Sequence, residues 1–213
     1  MITYDIKDLY VYIPIEETLK IARQQLIENN DRNKTEQIIT CLRTILSQNY
    51  FEFQGNIYHT DKGIAMASPI SRTVAKILLQ YIENIHIKHL TESRNIVYYT
   101  RYVDDIFVIF DTTKTSIDEI QQYVDHIHKN LRLTIRQENN NQISFLDLLI
   151  TRQTHKLDIN IYRKNTTTDT TISYTSNHPM EHKLAAYRSY INRMKNLPLS
   201  KENQKKNGKP YSQ

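Results

Sequence analysis

The sequence predicts an α+β fold: an antiparallel sheet with flanking helices, followed by a small basic helical module. Three observations carry this reading. Short runs rich in Ile, Val, Tyr and Phe are mixed with longer amphipathic stretches along the first two thirds of the chain. A length of 213 residues with 39% hydrophobic and 24% charged residues suffices for one core, or one core and a small appendage. Charge is divided unevenly: residues 1–151 hold 16 Lys/Arg against 19 Asp/Glu, whereas residues 152–213 hold 12 against 4. The expected organisation is therefore a sheet domain over 1–151, a basic helical module over 152–199 and a disordered basic tail, SKENQKKNGKPYSQ, over 200–213. An acidic part that gathers carboxylates beside a basic part that meets phosphates suits a protein that handles polyanions.

In chain order, Ile2 to Leu9 is strand-like and carries Asp5 and Asp8, and Ile13-Pro14 closes it ahead of a helix. Ile15, Leu19, Ala22 and Leu26 mark an amphipathic helix over 15–29, stopped by Asn29-Asn30. Thr35 caps a second helix, whose face is Ile38, Leu42 and Ile45. A small hairpin turns at Gln54-Gly55-Asn56. Gly63 opens GIAMASPIS, residues 63–71, ahead of a helical run over 73–89. That loop reads either as an ordinary helix entry capped by Ser71 or as backbone that a planar or phosphorylated ligand approaches closely.

The central stretch is VYYTRYVDDIFVIF, residues 97–110. Two strand-forming runs are interrupted there by the adjacent carboxylates of Asp104 and Asp105, a pair costly to bury without a cation. Either the pair is a plain hairpin turn or it is a divalent-metal site at a hairpin tip. Beyond it, Ser116-Ile117-Asp118-Glu119 is a capping box for a helix reaching Lys129, with Ile120, Val124 and Ile127 buried. Strands are expected over 131–138 and 143–150, with Asp147 as an edge or turn residue, and over 157–163. SNHP, residues 176–179, then opens a helix with Leu184, Tyr187, Ile191 and Met194 on one face. The single cysteine, Cys41, excludes a disulfide framework and any multi-cysteine zinc site. No apolar run approaches the roughly 20 residues needed to cross a bilayer, and MITYDIKDLY is too polar for a signal peptide. An intracellular protein without a membrane partner is expected.

Asp5 in DIKDLYVYIP, then GIAMASPIS, then YVDD at 102–105 resemble, in order and spacing, motifs A, B and C of the palm of a reverse transcriptase. The DIKDLYVYIP form, FLDLLI at 145–150 and IYRKNTTTDTTISYTSNHP at 161–179 are similar more narrowly to Penelope-like retroelements, which are allied to telomerase. The resemblance implies an RNA-directed DNA polymerase with a thumb-like basic module, working in the nucleus on an RNA or DNA template, a DNA primer and deoxynucleotides. It implies two magnesium ions, with manganese as the substitute, held by Asp5, Asp104, Asp105 and the Ile6 carbonyl. Tyr10 becomes the aromatic gate against a 2′-hydroxyl, although packing of the sheet would also explain it. Met66, Ser68 and Pro69 would line the nucleotide, and Lys183, Arg188 and Arg193 would grip duplex phosphates. The chain departs from the family at Ala67, where glycine is usual, at Thr60, where glutamine is, and at Asn165, where proline is. Basic fingers ahead of motif A and an endonuclease domain behind the thumb are the partners that the family would add. The chain is expected to be a fragment of a polyprotein, a truncated gene or a decayed copy that only binds nucleic acid. An unrelated carboxylate-metal hydrolase is a third reading, but no water-activating residue is evident for it.

Overall fold

The computed structural model describes residues 1–28, 31–92, 96–164, 166, 168 and 170–207. The Asn29-Asn30 stop, the Asn165 departure and residues 208–213 of the tail lie outside the described residues. The chain forms two compact units, Met1–Arg136 and Gln137–Gln213. This division falls earlier than the expected one after residue 151, because the strands on either side of Asp147 pair with each other and with the next strand.

In the first unit β1 (Ile2–Ile6) leads through a one-turn helix α1 (Leu9–Tyr12) to α2 (Ile15–Ile27) and α3 (Arg32–Ser47). The small ribbon β2 (Tyr50–Phe53) and β3 (Asn56–His59) follows, then α4 (Ser71–Ile82), a π-helical turn (Glu83–Ile87) and α5 (Lys88–Glu92). The central hairpin is β4 (Ile96–Tyr102) and β5 (Asp105–Phe110), and α6 (Ile117–Asp125) and β6 (Leu133–Gln137) complete the unit. The strand order is β4-β5-β1-β6, with β1 antiparallel to β5 and β5 antiparallel to β4.

Alternation along the strands fixes what each face does. Ile2, Tyr4 and Ile6 of β1 and Ile106 and Val108 of β5 are buried in one apolar cluster with Leu19 of α2, Leu78, Leu79 and Ile82 of α4, and Ile120 and Val124 of α6. Their neighbours Thr3, Asp5, Asp105 and Phe107 therefore occupy the other face.

Several local expectations shift for identifiable reasons. Asp31, not Thr35, caps α3: its carboxylate accepts from the Lys34 amide at 3.0 Å, and Thr35 is buried inside the helix. Ser71 does not cap α4; it begins the helix and donates its hydroxyl back to the Ala65 carbonyl. The capping box of α6 forms as read, with the Glu119 amide donating to the Ser116 hydroxyl and the Ser116 amide to the Glu119 carboxylate. That helix stops at Asp125 rather than Lys129, because the His126 and Ile127 amides turn to carbonyls three residues back.

In the second unit β7 (Gln142–Phe145), β8 (Leu148–Arg152) and β9 (Leu157–Ile161) form an antiparallel sheet in that order, followed by α7 (Met180–Asn196) and α8 (Lys201–Asn207). The expected single strand over 143–150 is thus a hairpin turning at Leu146-Asp147, so Asp147 is a turn residue. Asn140 and Asn141, both at positive φ, make the tight turn before β7, as asparagine permits. Residues 201–207 are helical where disorder is expected. Asn203 donates to the Asp158 carboxylate and the Ile159 carbonyl, both at 3.0 Å, and Asn207 donates to Asn160. Side-chain amides bond this segment to β9, which hydropathy does not register.

Candidate functional site

Strand pairing brings the backbone of the three aspartates singled out in the sequence together. Asp5, near the end of β1, is the register partner of Asp105, the first residue of β5. One step further, the Ile6 amide donates to the Asp104 carbonyl at 3.0 Å. Since ladder bonds alternate, the Asp5–Asp105 pair is a non-hydrogen-bonded one, the kind in which Cα atoms lie about 4.5 Å apart and side chains come closest. All three aspartates are half-buried.

The turn that presents them is Val103-Asp104, not Asp104-Asp105: Tyr102 pairs with Asp105 across the hairpin. Val103 takes a φ of +57°. A two-residue hairpin needs positive φ, normally from Gly, Asn or Asp, and here a β-branched residue accepts it. Strain of this kind costs about 1–3 kcal/mol and persists only where surrounding structure imposes it. The Arg101 guanidinium supplies that constraint. It donates through Nη1 to the Val103 carbonyl at 3.0 Å and through Nε and Nη2 to the two oxygens of Glu83 at 2.6 and 2.8 Å. Tyr99 also donates to Glu83, at 2.8 Å. The pair is well shielded, with the two side chains 11% and 22% exposed. Burial alone would pull the Arg101 pKa down, but the hydrogen bonds and charge of Glu83 outweigh it and hold it above its ordinary value. Burial and then Glu83 push the Tyr99 phenol far up.

The loop of GIAMASPIS is seated on the turn after Asp5. Asp8, in the left-handed region at φ 49°, starts α1, and the Ile64 amide donates to the Tyr10 carbonyl at 2.8 Å. Gly63 has φ +76°, and a Cβ there would lie 2.5 Å from the Val11 carbonyl oxygen and 2.6 Å from that of Tyr10. The close approach that Gly63 permits is thus to the chain's own backbone. Tyr10 is half-buried and packs on the core cluster, Met66 is 74% exposed, Pro69 is exposed and Ser68 half-buried. Thr60 accepts from the Asn49 side-chain amide.

The basic residues of the second unit are less uniform than their charge suggests. Lys183 donates to the Tyr174 carbonyl at 2.6 Å and lies over the Tyr174 ring. Arg193 pairs with Asp147 at 2.7 Å. Arg188 is exposed, with no ion pair or hydrogen bond among the described residues. The expected apolar face of α7 is uncovered: Leu184, Tyr187 and Ile191 are 38%, 51% and 46% exposed.

Among the described residues, no group of three or more His, Cys, Asp or Glu side chains is gathered to hold a metal ion. Aspartate carboxylates and a backbone carbonyl are hard oxygen groups of the kind magnesium prefers, and strand register sets Asp5 opposite Asp105. No described helix is long and apolar enough to cross a membrane. Sequence reasoning passed over Glu83 and Arg101, although a lone arginine amid VYYT and YV in an apolar strand is itself a signal that a buried partner must exist.

No family model matches the sequence, and no curated protein does. Solved structures do. Apo telomerase from Candida tropicalis, truncated from the C-terminal domain, superposes with a TM-score of 0.57 at 16% identity over 74% of this chain and 34% of that one. Telomerase from Candida albicans in complex with a fragment of telomeric RNA gives 0.59 at 16% identity, over 92% and 34%. The Candida tropicalis enzyme in the corresponding complex gives 0.60 at 13%, over 97% and 36%. The chain spans about a third of the length of these structures. At such identities the likeness is one of fold: the chain has a palm-like α+β architecture similar to that of telomerase, a reverse transcriptase.

Proposed function

We propose that this chain is the palm and a thumb-like region of an RNA-directed DNA polymerase of a retroelement, nearest to the Penelope-like group. The observation that carries the reading is the Asp5–Asp105 register, with Asp104 hydrogen-bonded through its carbonyl to the residue after Asp5. Two aspartates 100 residues apart in sequence are register partners on the sheet face opposite the core, and two-metal nucleotidyl transfer would need carboxylates converging from different strands in this way. Asp5, Asp104 and Asp105, with the Ile6 carbonyl, would hold two magnesium ions, or manganese in their place. When bound, the ions would lower the cost of charge on the attacking 3′-oxygen and on the leaving pyrophosphate.

The chain's own residues would do the rest. Tyr10, held by the Ile64 bond to its carbonyl, would exclude a 2′-hydroxyl. Met66, Ser68 and Pro69 would lie along the nucleotide and templating base. Lys183, Arg188 and Arg193 would meet primer–template phosphates without reading sequence. Residues 152–199 would form the thumb, and fingers and endonuclease domains of a parent polyprotein would complete the enzyme in the nucleus.

A second reading, a relic that binds nucleic acid without polymerising, is favoured by the absence of a gathered three-ligand group among the described residues. Primer extension separates the two. A longer protein that includes fingers is expected to extend a DNA primer on RNA with magnesium and to lose this with Asp104→Asn, while the 213-residue chain alone extends poorly. Primer–template binding without extension by the longer protein would favour the relic.

A further inference from the structure

We infer that Arg101 and Glu83 act as a positioning pair, holding the strained Val103-Asp104 turn in the form that presents Asp104 beside Asp5. The inference rests on the polymerase reading for its purpose but on geometry for its substance. Val103 occupies a backbone region that a β-branched residue avoids. The hydrogen bond that restrains the turn comes from Arg101 Nη1. The same guanidinium donates through Nε and Nη2 in a fork on Glu83, which also accepts from Tyr99. Lysine, a point charge, cannot make the fork and the Val103 bond together.

Glu83 itself opens the π-helical turn that follows α4. A π turn within a helix is rare and is frequently found at functional sites. The helix that begins at the GIAMASPIS loop therefore ends by fixing the hairpin of Asp104 and Asp105. The nucleotide-side loop and the carboxylate turn would share one rigid support, as residues behind metal ligands do elsewhere.

Two measurements on the 213-residue chain test this. Amide hydrogen exchange reads the turn without any metal, and Mn²⁺ titration, by the loss of its free electron paramagnetic resonance signal, reads the carboxylates. Arg101→Lys is expected to speed exchange in the Val103–Asp105 segment and to weaken Mn²⁺ binding by about tenfold to a hundredfold, as loss of an outer support does. The charge swap Glu83→Arg with Arg101→Glu keeps an ion pair in the core but removes the donor to Val103. It is expected to preserve the melting temperature better than Arg101→Ala while losing Mn²⁺ affinity as Arg101→Lys does. A purely structural pair would show affinity following stability. Wild-type exchange at the turn and wild-type affinity in Arg101→Lys would overturn the inference. Absence of Mn²⁺ binding by the unmutated chain, with exchange still governed by Arg101, would remove the metal reading and leave the positioning pair standing.

Discussion

Asp5 and Asp105 face each other across β1 and β5 as direct register partners, on the sheet face opposite the apolar cluster. Like charges directly opposite in an antiparallel pair cost about 0.2–1 kcal/mol. Asp5→Asn is therefore expected to raise stability by that amount in metal-free buffer. With Mn²⁺ the order should reverse, because the unmutated chain gains stability from a bound ion and the variant gains less. Paired thermal melts with and without Mn²⁺ check this; a variant less stable in both would mean that Asp5 serves the fold.

Gly63→Ala is expected to be far more damaging than Gly55→Ala. Both glycines have φ +76°, so both substitutions pay roughly 1–2 kcal/mol for a left-handed alanine. Only at Gly63 does the new methyl also meet backbone, the Val11 and Tyr10 carbonyls, whereas Gly55 has nothing within 4 Å. Denaturant unfolding of the two variants isolates the clash as their difference. Equal losses would show that the loop seat on Tyr10 and Val11 is loose.

Much of this was legible because it is local or periodic. The Ser116–Glu119 capping box, the hairpin around Gly55 and the amphipathic face of α2 follow from spacing alone. The meeting of Asp5 with Asp105 was legible only through the order of three motifs, since no periodicity links residues 100 apart. The fork of Arg101 on Glu83 was hidden because an arginine in an apolar strand signals only that a partner exists, and which residue that is depends on how the end of α4 packs on β4. The positive φ of Val103 was hidden for a related reason: propensity assigns such positions to glycine or asparagine, and tertiary bonds overrode it here. The helix over 201–207 was missed because asparagine side chains, not apolar ones, dock it.

Acid should loosen α6 first at its N-terminus. The Glu119 carboxyl is held below its ordinary value near 4.5, chiefly by the Ser116 amide and then by the Thr115 hydroxyl. A depressed folded pKa means that its contribution is present above about pH 4.5 and is lost as pH falls through the lower, folded value. Glu119→Gln can still close a capping box but cannot titrate. The variant is therefore expected to lose less melting temperature than the unmutated protein between pH 6 and pH 3. Identical pH dependence would assign acid sensitivity to other carboxylates. Ser116→Ala should cost about 1 kcal/mol at neutral pH.

The α7 cations can be told apart by salt. Each phosphate contact that a protein makes releases counterions and adds about one to the slope of log K against log salt. Arg188 is exposed and has no ion pair or hydrogen bond among the described residues, whereas the Lys183 ammonium is bonded to the Tyr174 carbonyl and Arg193 is paired with Asp147. Arg188→Ala is therefore expected to lower the slope for primer–template binding by about one, uniformly across sequences. Arg193→Ala should lower it less and instead cost stability, by no more than about 1 kcal/mol for so exposed a pair. Fluorescence anisotropy with a labelled DNA–RNA hybrid over a salt series, alongside thermal melts, gives both quantities. Duplex affinity unchanged in Arg188→Ala at low salt would mean that α7 only solvates its own charges, and the thumb-like role proposed for it would be withdrawn.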